Sequence, residues 1–190
     1  MSAMAEILTE PDLVVQFRRG EDSAFDKIVA RHSAEVAALA NRLLGWPGDV
    51  DDVVQEVFLA AFLGLRKFRG DCRLRTWLFA ITVNKCRSWR VRRRRASSLA
   101  KAQDIQAIAG PDPSSDKPAM DEETFDRVRR AVRTLPQKYR EAIVLKYLQG
   151  LETNEACELL GLTVNAMEVR LNRARSKLRD QLGDLFEETP

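Results

Sequence analysis

Over most of the chain apolar residues recur every three or four positions, and no segment alternates apolar and polar residues over the length of a strand. That periodicity excludes a sheet and predicts an all-α chain, each helix burying one face. The breaks in the pattern set the helix lengths. Thr9-Glu10-Pro11-Asp12 is a helix start, with a capping hydroxyl and carboxylates near the positive end of the dipole. It opens a short helix bearing Leu13, Val14 and Phe17 that ends near Gly20. Asp22 or Ser23 caps a longer helix, whose stripe is Phe25, Ile28, Val29, His32, Val36, Leu39, Leu43 and Leu44, with His32 read as a packed residue. Gly45-Trp46-Pro47-Gly48 breaks it. A third helix from Asp49 turns Val50, Val53, Val54, Val57, Phe58, Ala61, Phe62 and Leu65 inward. Asp51, Asp52, Gln55 and Glu56 lie on its other faces, where the plain reading of spacing alone is a solvated acidic surface.

The formal net charge of +3 conceals a sharp asymmetry. Residues 66 to 95 hold 12 basic side chains and 1 acidic, so this block carries +11 and the rest of the chain −8. Concentrated charge of this kind suits a polyanionic partner. A polar turn, Lys67-Phe68-Arg69-Gly70-Asp71, leads into a helix from Thr76 to about Arg95. There Lys85, Arg87, Arg90, Arg92, Arg93, Arg94 and Arg95 are interleaved with Trp77, Phe79 and Trp89. Guanidinium groups grip phosphates bidentately and aromatic rings stack on bases, so nucleic acid is the favoured partner. Basic density alone leaves DNA, RNA, an anionic membrane surface and neutralisation of the acidic N-terminal segment open.

Beyond this block the composition shifts to Ala, Ser and Gln and then to Gly110-Pro111-Asp112-Pro113-Ser114-Ser115-Asp116-Lys117-Pro118, which reads as a flexible linker between two folded units. Helix resumes at Asp121 with Phe125, Val128, Val132 and Leu135 in register, breaks at Pro136, and resumes through Tyr139, Ile143 and Tyr147 to Gly150. Thr153 then caps a helix carrying Ala156, Leu159 and Leu160. Gly161 ends it in the left-handed conformation, and Leu162-Thr163-Val164 leads to a second helix that runs through Leu182. A helix-turn-helix places the start of its second helix in the major groove. Glu168, Val169, Asn172 and Arg173 share one face of that helix and are the candidate base contacts. Arg170, Arg175 and Lys177 are assigned to phosphates or to a protein partner.

Other classes of function find little support. Cys72, Cys86 and Cys157 are an odd number without CxxC spacing and His32 is the only histidine, so neither a zinc site nor a disulfide framework is expected, nor any cofactor. A nuclease would need clustered carboxylates within the basic block. No stretch reaches the roughly 20 apolar residues of a membrane span, and the N-terminus lacks the pattern of a signal peptide, so a cytoplasmic protein is expected. A one-component helix-turn-helix regulator is the alternative reading, disfavoured because no ligand pocket or dimerisation helix is evident.

Together the segments Asp51-Asp52-Val53-Val54-Gln55-Glu56-Val57-Phe58, Phe68-Arg69-Gly70-Asp71, Thr76-Trp77-Leu78 with Asn84, Leu135-Pro136, Arg140-Glu141-Ala142 and Arg170-Leu171-Asn172-Arg173-Ala174-Arg175 resemble the extracytoplasmic-function sigma factors, the small two-domain branch of the bacterial sigma-70 family. The resemblance runs from about Phe25 to Leu182. It implies a sigma2 domain over residues 1–95, a linker over 96–120 and a sigma4 domain over 121–190. It implies a transcription initiation factor that binds core RNA polymerase, directs it to promoters and helps melt DNA. By the same resemblance Asp51, Asp52, Gln55 and Glu56 would dock on the clamp helices of the polymerase's largest subunit. The minus-ten element would be met by Arg69, Asp71, Arg73, Arg75, Trp77, Asn84, Lys85, Arg87, Arg92 and Arg93, with a flipped base received near Asn84. Glu168, Val169, Arg170, Asn172, Arg173, Arg175 and Lys177 would meet the minus-thirty-five element, and an anti-sigma factor would restrain the protein. Asn165-Ala166-Met167-Glu168 departs from the commoner family pattern, a departure that bears on promoter preference and not on the fold.

Overall fold

The computed structural model describes residues 9–45, 49–100 and 122–187, which are helices joined by short turns and irregular segments with no strand among them. The short helix α1 (Glu10–Arg18) begins as its sequence dictates: the Asp12 carboxylate accepts from the Thr9 amide at 3.0 Å, and Leu13, Val14 and Phe17 are buried. Helix α2 (Ser23–Leu44) buries the expected stripe, His32 included. The imidazole lies between Glu10, 3.2 Å from Nε2, and Glu35, 3.7 Å from Nδ1, a packed residue as read. Gly45 closes α2 at φ +67°, a left-handed cap that L side chains rarely adopt, and residues 46–48 of the expected break lie outside the described residues. Helix α3 (Val50–Leu65) and helix α4 (Leu74–Ala100) pack on α2 and on each other.

Four phenylalanines seal the α1–α2–α3 corner. The Phe62 ring stands edge-on to Phe17 and Phe25 at 5.2 and 5.1 Å, and Phe25 is edge-on to Phe58 at 6.5 Å. Phe62 nonetheless keeps 38% exposure, because it closes the cluster from outside and does not sit within it. The expected inward place of Phe62 is corrected accordingly. The basic helix is also longer than expected at both ends. It starts at Leu74 and passes Arg95 to reach Ala100, so an element occupies the start of the expected linker; Ala and Ser there favour or tolerate helix. The remainder of that linker, 101–120, lies outside the described residues.

Helix α5 (Glu122–Thr134) buries only its C-terminal half, Ala131 and Val132, with Leu135 just beyond. Phe125 and Val128, expected inward, are exposed. Helix α6 (Gln137–Ile143) widens into a π-helical turn over Val144–Leu148. The wider turn takes an extra residue and changes the angular spacing of the side chains within it and after it. Tyr147, which falls inward on straight α-helical spacing from Tyr139 and Ile143, is therefore 52% exposed, and the inward position passes to Gln149. Helix α7 (Thr153–Leu160) has Glu152, not Thr153, at its cap. The Glu155 carboxylate accepts from the Glu152 amide at 3.1 Å, which places Thr153 inside the first turn. Gly161 at φ +68° reverses the chain as expected, and the Thr163 hydroxyl accepts from the Ala166 amide at 3.2 Å to start helix α8 (Val164–Glu187).

Helices α1–α4 and α5–α8 are in contact, and their buried apolar residues form one continuous cluster. Several polar contacts cross between them. Arg87 grips the Glu141 carboxylate with two bonds of 3.0 and 2.7 Å. Arg75 Nη2 donates to Gln149 O at 3.0 Å, Thr76 Oγ1 to Glu155 at 3.3 Å, and Arg140 Nη1 to Leu43 O at 3.0 Å.

Candidate nucleic-acid and polymerase interfaces

The exposed face of α4 is a row at helical spacing, Asn84, Ser88, Val91 and Arg95. The Asn84 side chain makes no hydrogen bond to any described residue, so its amide can offer both donor and acceptor. At 100° per residue, Lys85 and Arg92 fall on one flank of this row and Arg87 on the other. The first flank faces α3, where Glu56 accepts from Lys85 at 3.3 Å and from Arg92 at 2.7 Å, and Arg93 meets Asp49 at 3.2 Å. Arg92 is the main reason that the Glu56 carboxyl lies below the usual carboxylate range. The second flank faces α6, where Arg87 is held by Glu141. Lys85, Arg87, Arg92 and Arg93 therefore do within the fold what the sequence left open for the basic block: they neutralise acidic residues.

The aromatic residues of this helix hold structure. Phe79 is buried beneath the Arg75 guanidinium, 4.6 Å from the ring centroid, and Trp89 carries Arg93 at 5.1 Å. Trp77 lies against Phe68 at 5.1 Å and close under Gly64, where a Cβ would come within 3.2 Å of the indole. These rings are not free platforms for stacking. Their packing instead fixes the turn that presents Arg69, Asp71, Cys72 and Arg73, all exposed, next to the start of α4. Arg75 turns away from that loop to Glu35, 3.1 Å from Nε, and to Gln149. Cys86 is buried, its thiol pushed up to about 12 by burial, and Cys157 is buried as well.

On α3, Asp51, Asp52 and Gln55 are exposed, whereas Glu56 is half-buried and engaged. The same exposed stripe continues as Leu59 and Leu63, which are 62% and 70% exposed. The sequence reading passed over these two leucines, although their i+4 and i+8 spacing from Gln55 is legible. On α8, Met167, Leu171 and Ala174 are buried, and Glu168, Val169, Asn172 and Arg173 are exposed on the opposite side, as expected. Asn165 lies between them in projection, a further exposed polar residue near the start of the helix that the reading had not singled out. Arg173 lies beside the Tyr139 hydroxyl and lowers the pKa of that phenol, while Arg175 turns back to the Asn172 side chain. Arg170 is half-buried and Lys177 exposed. No cluster of metal-ligating residues occurs among the described residues, and no described helix is long and apolar enough to cross a membrane.

Residues 28–96 match the family model for Sigma-70 region 2, and residues 125–178 that for Sigma-70, region 4. The ECF RNA polymerase sigma-E factor of Escherichia coli (strain K12) is 32% identical over 96% of this chain and 99% of its own length. The RNA polymerase sigma factor CnrH of Cupriavidus metallidurans is 38% identical over 87% of this chain and 90% of its own. The structure of CnrH in complex with the cytosolic domain of CnrY superposes with a TM-score of 0.65 at 37% identity, covering 90% of this chain and 96% of that one. The sigma factor RpoE of Bartonella quintana, solved with the anti-sigma factor NepR, shares the fold with a TM-score of 0.72 at 23% identity, covering 84% of this chain and 96% of that one. The chain belongs to the sigma-70 family, in its extracytoplasmic-function branch. It is a sigma factor, a DNA-binding transcription initiation factor that directs RNA polymerase to promoters.

Proposed function

We propose that the two helical units divide this work as follows. The α3 stripe of Asp52, Gln55, Leu59 and Leu63, with Asp51 beside it, docks on the clamp helices of the polymerase's largest subunit, and Glu56 orients the α3–α4 pair instead of meeting the partner directly. The exposed row on α4 receives the melted minus-ten strand. Asn84 reads a base flipped towards the Arg69–Arg73 turn, and the flanking cations meet phosphates. Unstacking a base costs a few kcal/mol, which a pocket of polar groups within a cationic surround can offset. The N-terminal half of α8 reads the minus-thirty-five duplex through Glu168, Val169, Asn172 and Arg173, where Glu168 can accept from cytosine N4 and Asn172 can pair with adenine.

The observation that carries this reading is the unpartnered Asn84 side-chain amide at the N-terminal end of an exposed row flanked on both sides by arginine. Promoter-dependent run-off transcription with core polymerase tests it. Asn84→Ala should relax base preference across a randomised minus-ten library, and unchanged preference would remove Asn84 as a reader. An anti-sigma factor as a further partner follows from the complexes in which CnrH and the Bartonella RpoE were solved. Residues 101–121 would act as the tether between the units, and the protein would work in the cytoplasm without catalysing a covalent step.

A further inference from the structure

Within α4 the cations Arg75, Lys85, Arg87, Arg92 and Arg93 are each paired with a carboxylate. The turn before α4 is different. Arg18, in the last turn of α1, donates to Phe68 O, and the Arg66 guanidinium lies over the Phe17 ring, 5.9 Å from its centroid. The ends of α1 and α3 therefore meet at one corner, where these two arginines serve the fold, as cations near helix C-termini commonly do. Arg19, Lys67, Arg69 and Arg73 lie close to them in the chain. Each is exposed and has no carboxylate partner among the described residues.

Charge, openness and position fit this corner to a chain of phosphates. Arg18, Arg19, Arg66, Lys67, Arg69 and Arg73 share these stretches of sequence with only Glu21, Asp22 and Asp71. Like charges gathered in one place raise the potential there and attract a polyanion. The surface is also open. At Gly20 and Gly70, beside these cations, nothing lies within 4 Å of where a Cβ would stand. The corner is continuous with the face proposed for the melted strand: Asn84 stands ten residues beyond Leu74, the start of α4. That is about 15 Å along the helix axis, the length of roughly four stacked nucleotides. An acidic protein surface would also meet a cationic patch, but guanidinium groups grip phosphates bidentately, and the continuity with Asn84 favours the strand.

We infer that Arg19 and Lys67, with Arg69 and Arg73 beside them, form a phosphate-binding track that holds the melted strand beyond the base received at Asn84, without reading its sequence. The inference rests on the reading of α4 as the strand-binding face. The test uses holoenzyme assembled from core polymerase and the full chain. Arg19→Ala combined with Lys67→Ala should leave assembly with core unchanged. Binding of a fluorescein-labelled, random-sequence single strand of about 12 nucleotides should weaken about fivefold or more at low salt. The slope of log affinity against log salt should shrink by about 1.4, since each phosphate contact on a single strand contributes about 0.7. Base preference across a randomised minus-ten library should stay the same, because phosphate contacts carry no sequence information. Arg179→Ala removes an exposed cation from the C-terminal half of α8 and should not change the slope. An unchanged slope in the double variant overturns the track. So does an equal loss per residue from Arg179→Ala, which would reduce the effect to net charge. Failure of a folded double variant to assemble with core would give the corner to the polymerase and overturn the track as well. If the double variant does not fold, Arg19→Ala and Lys67→Ala decide singly: each must lower the slope by about 0.7, and unaltered slopes overturn the track. Asn84→Ala judges the reading of α4 separately. Unchanged base preference there, alongside a reduced slope in the double variant, would strike that reading and leave the track in place.

Discussion

Glu56 serves two cations on the neighbouring helix, and this separates it from Asp52 one turn earlier. Asp52→Lys should weaken binding to core polymerase and leave the melting temperature within error. Glu56→Lys should weaken binding and also lower the melting temperature, because it sets a third cation against Lys85 and Arg92. Calorimetry and a polymerase binding assay distinguish the two. The sign of the acid response follows from the depressed carboxyl of Glu56. Its pairing stabilises the fold above the unfolded-state value and is lost as the pH falls through the lower folded value. Glu56 is 33% exposed and Arg92 57%, so the contribution is on the order of 1 kcal/mol or less. In Glu56→Gln, melting temperature should therefore fall less steeply than in the parent as the pH drops below about 4, near the ordinary carboxylate pKa. Parallel curves would show that the pairing adds no stability.

At the scale of the element, the helix-turn-helix depends on the reversal at Gly161. At φ +68° a Cβ there meets nothing within 4 Å, so substitution costs backbone strain and not steric clash. Gly161→Ala should destabilise by roughly 1 kcal/mol, and Gly161→Asn by less, because Asn tolerates the left-handed region better. Thermal denaturation followed by circular dichroism checks the order, and equal loss for Ala and Asn would show that the left-handed backbone is not what glycine supplies. In α4 the sequence pattern shows which residues share a face, but a face is not a function. Lys85, Arg92 and Arg87 look alike as charges, yet the first two are tied within the N-terminal unit and the third reaches across to the C-terminal one.

Across the whole molecule, Arg140 is the main backbone clamp. Its guanidinium donates to Leu43 O and Leu135 O, both at 3.0 Å, and also to Arg133 O, so it ties the end of α2 to the α5–α6 corner. Gly45 lies directly beside it, and a Cβ there would come 3.3 Å from Nη1. Arg140→Ala should strand these carbonyls at about 1 to 3 kcal/mol in total and should lower the melting midpoint. Arg140→Lys should recover only part, since a single ammonium cannot span the three acceptors. Full recovery by lysine would mean that charge, and not the fork, makes the clamp.

Residue spacing alone is enough to set the helices, their inward stripes through most of the chain, the Gly161 reversal, the buried His32 and the exposed face of Glu168, Val169, Asn172 and Arg173. These are legible because helical periodicity and capping are local: three or four neighbouring residues settle them. It missed Phe62, Tyr147 and the outward turn of Phe125 and Val128, where a local rule meets a distant condition. Phe62 closes a cluster from outside, Tyr147 lies within a π-helical turn that breaks the α-helical register, and α5 is packed only in its C-terminal half. Which cations are occupied was beyond sequence altogether. Arg87 and Glu141 are 54 residues apart, and Glu56 and Arg92 are 36 apart. Whether such charges meet depends on how packed helices bring them together, and only the tertiary structure decides that.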